Sequence, residues 1–307
     1  MTTTILQIIQ DAAAELGLAA PTAAVTATDL QSLQLLALAN RCGNILLQQW
    51  DWSQLTQLFV VNMYQPPTST GDTTADSVTI TGVADTSGIT GLATNYSITG
   101  EGIQQGARIT AITSNTITMN VPANATTAAS SLTFSQDTYP LPADWNNPTK
   151  RTQWDRTNHW EVQGAISPQQ YQWLVSGITA TGPRRKYRIQ GSNVVFWPPP
   201  SSEDTPDTLT MEYESAYWIQ SSTGVAKPRF TADTDVTVYP PDCMVMGLKW
   251  LFFQVKGFEY TELRRQWDNQ VSMYAATNQG AQTLDMTGRS WPTFITPANV
   301  QDANFPS

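Results

Sequence analysis

The chain has 307 residues, of which 13% are charged, and its 25 acidic against 16 basic residues give a net charge of −9. This balance argues against nonspecific DNA binding, which requires a cationic surface, but it does not exclude DNA passing through an acidic or neutral pore. No apolar run is long enough to span a membrane, and the two cysteines, which provide no disulfide framework, are expected to be core thiols.

The first part of the chain predicts two helices and a strand. Apolar residues recur at helical spacing over residues 4–17. A second helix is predicted from a cap at Thr28 or Asp29 to about Trp50. Because this helix is apolar nearly all round, it is expected to be buried on more than one side, by its own domain or by a neighbouring copy. Leu55 to Met63 then has the pattern of a strand.

A change of composition marks residues 64–137 as an insertion. The segment is rich in Thr, Ser and Gly and contains short runs in which apolar and polar residues alternate. Ser114-Asn115 predicts a tight turn that joins two of these runs as a hairpin. Such an insertion is tolerated only where the two flanking chain ends lie close together on a surface. The segment therefore predicts a small all-β domain, a sandwich or a barrel-like fold.

After the insertion the amino-acid sequence is again rich in aromatic residues. Tyr139 to Trp145 predicts an extended arm, because its prolines exclude helix. Ser167-Pro168 is a typical helix start. Lys186–Ile189 and Val194–Trp197 are predicted to pair as a hairpin, and Leu209–Ile219 has the pattern of a long third strand.

The last part of the chain predicts a helical pair followed by a tail. One helix opens at Pro240-Pro241-Asp242 and ends at Gly257, and another runs from Tyr260 to about Asn278. Because only a few residues join them, they are expected to lie antiparallel. The text from Gly280 onward is polar and broken by prolines, with three isolated aromatic residues that are candidate portal or partner contacts: Trp291, Phe294 and Phe305.

These elements predict an α+β fold in three parts. Residues 1–63 and 138–280 form a discontinuous, mainly helical domain with helical pairs plus a small β-hairpin or sheet. Residues 64–137 form the inserted β-domain, and residues 281–307 form an extended C-terminal tail.

No motif in the chain indicates an enzyme, a cofactor or a metal. His159 is the only histidine, and one histidine without suitable neighbours cannot form a metal cluster. Gly100-Glu101-Gly102 opens no helix and therefore does not resemble a phosphate-binding loop. Asp11 and Glu15 share a helix face, but the apolar positions lie opposite, so a solvated face is expected. We therefore predict no catalytic, cofactor-binding or metal-binding residues.

One basic patch stands out against the acidic background. Over residues 148–190, 7 basic residues oppose 2 acidic ones. Because aromatic residues are interleaved with the basic ones, contact with nucleic acid is one interpretation of the patch. In an acidic chain, however, docking on another copy of the chain is favoured. Eleven Trp and ten Tyr favour a covered surface too, although the same rings could fill a core. The candidate subunit-docking residues are Arg184, Arg185, Lys186, Arg188, Trp154 and Trp160.

The chain resembles the head-to-tail adaptor proteins of short-tailed bacteriophages, also called tail tubular or tail accessory proteins. The matching text is the arm from Tyr139 to Trp145 and the closing block from Pro240 to Gln279, which includes the helix of Glu262 to Trp267. With the two-helix start, the resemblance covers roughly residues 1–63 and 138–290. The insertion departs from the smallest members, which lack it, and resembles β-modules of phage tail and virion proteins.

The resemblance implies a non-enzymatic virion protein of the neck or tail. Such proteins form a ring, usually dodecameric, beneath the portal, and genomic DNA crosses the channel only as passing cargo. The implied partners are the portal protein, other copies of the chain, and tail nozzle or tail fibre proteins, with no membrane. The start of the chain has no basic stretch typical of a secretory signal, so assembly in the host cytoplasm is expected. A host- or carbohydrate-binding tail component and a virion-associated cell-wall hydrolase are the alternatives.

Overall fold

The fold is taken from a computed structural model that describes residues 3–278, except 64–66, 84–85, 87–88, 90, 177–183 and 201–206. The helices in these residues are α1 (Ile5–Glu15), α2 (Leu30–Gln49), α3 (Pro168–Val175), α4 (Pro241–Lys256) and α5 (Thr261–Asn278). The strands are β1 (Thr56–Asn62), β2 (Ser69–Thr73), β3 (Thr79–Ile80), β4 (Ser97–Thr99), β5 (Ile109–Ile112), β6 (Ile117–Met119), β7 (Thr127–Ser135), β8 (Thr138–Pro140), β9 (Trp145–Pro148), β10 (Trp154–Asp155), β11 (Trp160–Glu161), β12 (Gln163–Gly164), β13 (Lys186–Gln190), β14 (Asn193–Trp197), β15 (Thr208–Ser215), β16 (Ile219–Gln220), β17 (Ala226–Lys227) and β18 (Val236–Thr237).

The predicted helices are confirmed, and their ends follow the expected capping chemistry. Asp29 caps α2 by accepting a hydrogen bond from the Ser32 amide at 2.8 Å. Gly257 ends α4 in the left-handed conformation, with φ of 77°, which glycine adopts without steric cost. Helices α1, α2, α4 and α5 pack around one apolar core that includes Cys42, Cys243 and the fully buried Trp267. The indole N–H of Trp267 donates to the carbonyl of Cys243 at 2.8 Å, so α5 is tied to α4.

Three sheets accompany the helices outside the insertion, so this part of the chain is mixed α+β and contains more strands than the predicted small hairpin or sheet; the smallest of the three has the order β17-β16-β18. In the five-stranded sheet, β15 lies in the centre, with β1 on one side and β9 and β10 on the other, and β11 follows β10. The four-stranded sheet has the order β12-β13-β14-β8 and contains the predicted hairpin. Residues from the five-stranded and four-stranded sheets, among them Val61 of β1 and Phe196 of β14, share one apolar core. The predicted strand Leu209–Ile219 is in fact two strands in different sheets.

The inserted segment has its own core. Strands β2-β7-β4 form one three-stranded sheet and β3-β6-β5 form another, and residues of both sheets make one apolar cluster. The described residues form no closed barrel. The hairpin at Ser114-Asn115 is confirmed, since β5 and β6 pair on either side of it. Met63 and Tyr139, which flank the insertion, belong to the same host core, as adjacent join points require.

Two further findings concern membrane spans and the C-terminal tail. None of the helices in the described part of the chain combines the length and apolarity that crossing a bilayer requires. The predicted tail at 281–307, with Trp291, Phe294 and Phe305, lies outside the described residues.

Candidate interaction surfaces

The basic run that begins at Arg184 does not form one surface. Arg185 is buried, and its Nη2 lies 3.0 Å from Oδ2 of Asp207, which is also buried. A buried guanidinium is tolerated when a carboxylate compensates it. Arg185 was predicted to be a docking residue, and this position corrects that prediction: its charge is used inside the fold.

The other basic residues of the run lie nearer the surface. Arg184 is exposed, and Lys186 and Arg188 are half-buried on alternate positions around Tyr187, as the two-residue period of a strand requires. The guanidinium of Arg188 lies 5.2 Å from the centre of the Tyr171 ring, within the range of a cation–π contact. Arg184, Lys186 and Arg188 therefore remain candidates for docking.

Trp154 and Trp160 lie together on the β10–β11 hairpin, where Asp155 is opposite Trp160. Both rings are half-buried. Trp154 also borders an open cavity of about 500 Å³ on the face of the five-stranded sheet, here called the sheet-face cavity. Its lining residues are Leu58, Arg151, Thr152, Trp154, Asp155, Arg156, His159, Thr210 and Glu212.

The sheet-face cavity is lined by three basic side chains and by the carboxylates of Asp155 and Glu212. Arg151, Arg156 and His159 are exposed. The backbone φ angles of Arg151 and His159 are 62° and 57°, which residues other than glycine rarely adopt. The carboxylate of Asp155 is used by its own turn, where Oδ1 accepts hydrogen bonds from the amides of Thr157 at 3.0 Å and of Asn158 at 2.9 Å. Backbone strain of this kind often marks a functional site. Nothing in the sequence indicated that Arg151 and His159 would adopt the left-handed conformation.

A second open cavity of about 500 Å³ lies where α1, α2 and α4 meet at one end of the helical bundle; it is here called the bundle-end groove. Leu30 at the start of α2 is 85% exposed, and Phe258 just after α4 is 58% exposed. The lining residues are Leu16, Leu18, Leu30, Gln31, Gln34, Phe252, Phe253, Lys256 and Phe258. The all-round apolar pattern of α2 predicted such a surface without locating the groove.

The insertion is fastened to the host domain by a charged contact. Arg108 of the insertion donates two hydrogen bonds to the carboxylate of Asp137, at 2.8 and 2.7 Å. Its Nη2 also lies 3.2 Å from the hydroxyl of Tyr171 on α3. Burial raises the pKa of the Asp137 carboxyl, and the opposing attraction of Arg108 does not fully offset that shift. The backbone carbonyl of Asp137 accepts the Phe196 amide at 2.8 Å, so Asp137, which was predicted to be the last residue of the insertion, is held by the host sheet.

The remaining candidate residues are placed as packing or surface residues. Asp11 and Glu15 are exposed on α1, and Glu15 pairs with Lys249. Cys42 and Cys243 are buried, and burial raises the pKa of the Cys243 thiol to about 12, which makes it a poor nucleophile. Among the residues that the structure describes, no three His, Cys, Asp or Glu side chains form a group that could hold a metal ion.

Compared with known protein families and with curated proteins, the chain matches none of them.

Proposed function

We propose that the chain is a structural virion protein, a head-to-tail adaptor whose copies form a ring, dodecameric in the family it resembles, beneath the portal. The observation that supports this best is the bundle-end groove. Leu30 at the start of α2 and Phe258 just after α4 line it with exposed apolar side chains. Leu33 of α2 and Val255 of α4 are exposed as well. Large exposed apolar side chains that line one groove are unusual on a monomeric soluble protein and often mark an interface.

The adaptor function also agrees with the charge of the chain. A subunit that is covered by neighbours needs fewer charged residues on its surface, and only 13% of this chain is charged. The net charge of −9 suits a channel through which DNA passes without being held. In this proposal the helical domain supplies the contacts of the ring. The tail then binds the portal, and the insertion binds nozzle or fibre proteins.

The double substitution Leu30→Lys with Phe258→Lys is expected to abolish ring assembly, because it places two charges in an apolar contact. The measurement is the mass of the purified protein by light scattering, alone and with the portal protein of the same virus. Met273→Lys is the matched control, because Met273 is 68% exposed on α5 and does not line the groove. If the double variant assembles like the wild type, the groove is not the ring contact.

Deletion of residues 281–307 is expected to leave the ring intact and to weaken its attachment to the portal. The three aromatic residues of the tail could each contribute up to ~2–3 kcal/mol when buried in a partner. The measurement compares the binding of the full-length and the truncated protein to immobilised portal protein. Equal affinity would show that the tail is not the anchor.

A further inference from the structure

The outer edge of β1 has no strand partner among the residues that the structure describes. Within the described part of the chain, β1 pairs only with β15, so it is an edge strand seven residues long. The amide of Met63 donates to the carbonyl of Asp207 at 2.8 Å, which continues the ladder between these two strands. Backbone groups of an antiparallel strand point alternately to either side. The N–H and C=O groups of Leu58, Val60 and Asn62 therefore point away from β15.

This edge has none of the features that usually protect an edge strand. Proteins shield such strands with charged residues, prolines or bulges, or keep them very short. The strand from Thr56 to Asn62 contains no charged residue and no proline, and its pairing with β15 is regular throughout. Leu58 is 52% exposed and Val60 is 45% exposed on the same face of the sheet. An edge of this kind is a template for another strand.

We propose that β1 pairs antiparallel with β1 of a second copy, so that the free chain forms a two-fold dimer. The longest overlap places Phe59 on the two-fold axis. In this register Leu58 lies opposite Val60 of the second copy, and Val60 lies opposite Leu58. The exposed apolar residues then cover each other across the strands, a favourable pairing. Because the strand is uncharged, no like charges meet at the axis.

The dimer does not rest on the proposed ring. A two-fold contact joins the same patch on both copies and closes after two subunits, whereas a ring requires two different surfaces. The dimer is therefore a form of the free chain that keeps an adhesive edge covered. The bundle-end groove lies on other elements, so the two contacts can be tested separately.

The first test removes one outward N–H. Val60→Pro is compatible with the native sheet, because proline is tolerated on edge strands where the N–H faces solvent. Val60→Thr is the control, since it keeps the N–H and is a good strand former. Light scattering at several concentrations is expected to give a dimer for the wild type and for Val60→Thr, and half that mass for Val60→Pro. Thermal unfolding followed by circular dichroism checks that each variant is folded.

The second test fixes the register and does not depend on the proline variant. The double variant Leu58→Cys with Val60→Cys is expected to form a covalent dimer on mild oxidation, because positions 58 and 60 face each other within disulfide reach. Val60→Cys alone should not crosslink, since two copies of position 60 lie diagonally. A monomeric wild type, a dimer that persists in Val60→Pro, or a ring with no crosslink in the double variant would each overturn the proposal.

Discussion

Gly43→Ala is expected to destabilise the protein by about 1–3 kcal/mol, the usual cost of overpacking a core. A Cβ atom at this position of α2 would lie 2.1 Å from the Trp218 ring. Trp218 is fully buried between Phe230 and Tyr239, with ring centres 5.3 and 5.5 Å away. Its indole N–H also donates to Asn44 Oδ1 at 3.2 Å. The ring therefore cannot move aside cheaply.

Whether Gly43→Ala lowers or raises the stability of the protein distinguishes an effect of core packing from an effect of helix propensity. At an exposed helical position the same substitution stabilises by up to about 1 kcal/mol, because alanine is the better helix former. The measurement is urea unfolding of Gly43→Ala, Trp218→Phe and the double variant. Phenylalanine lacks the outer ring that the new Cβ would meet, so the double variant should cost less than the sum of the two single variants. A Gly43→Ala protein as stable as the wild type would show that α2 can shift away from Trp218.

The sequence predicted the helices well because their signals are local. Helices α2 and α4 each have apolar residues at helical spacing and a recognisable cap, Asp29 at the start of one and Gly257 at the end of the other. The hairpin of β13 and β14 is local in the same sense, since its strands are joined by a short turn. In these elements propensity, pattern and final structure agree.

The five-stranded sheet could not be predicted in the same way. Strand β1 pairs with β15, so Thr56 lies opposite Glu214, far along the chain. Three strands of the five-stranded and four-stranded sheets, β10, β11 and β12, have only two residues each, too short to show a period. The host was therefore expected to be mainly helical. The core shared by the five-stranded and four-stranded sheets contains residues such as Tyr139 and Met211 that no local pattern connects.

The sequence alone also could not show which residues lie on the interaction surfaces. A run of cations from Arg184 to Arg188 is a true feature of the sequence, but only the fold reveals that Arg185 faces Asp207 in the interior. The exposure of Leu58 and Val60 likewise depends on β1 being an edge strand. For Leu30, in contrast, the apolar sequence of α2 already indicated a surface that a neighbour could cover.

Arg108→Ala is expected to be the more damaging of two substitutions at the contact between insertion and host. It leaves the Asp137 carboxylate, whose side chain is 1% exposed, without its guanidinium partner. Breaking a buried ion pair from one side costs about 3–5 kcal/mol, because the remaining charge is uncompensated. Asp137→Asn should cost less. The Arg108 side chain is 24% exposed and can turn its charge toward water.

The double variant Arg108→Ala with Asp137→Asn is the matched control, because it removes both charges. It should recover part of the stability lost in Arg108→Ala, and thermal unfolding of the four proteins gives the coupling between the two residues. Limited proteolysis adds a local measurement. Cleavage within the segments that join the insertion to the host should accelerate most in Arg108→Ala. If the two single substitutions destabilise the protein equally, the difference in exposure between Arg108 and Asp137 does not determine the cost of removing either partner.

Replacement of residues 67–134 by a short Gly-Ser linker tests whether the insertion is separable. The join points lie close enough, since Met63 and Tyr139 share one core. The deletion also removes Arg108, so it should fold well only when combined with Asp137→Asn, which avoids an unpaired buried carboxylate. We expect the combined variant to unfold cooperatively and the deletion with Asp137 intact to be clearly less stable. An unfolded combined variant would mean that the host core needs the insertion, and the discontinuous-domain interpretation would then be wrong.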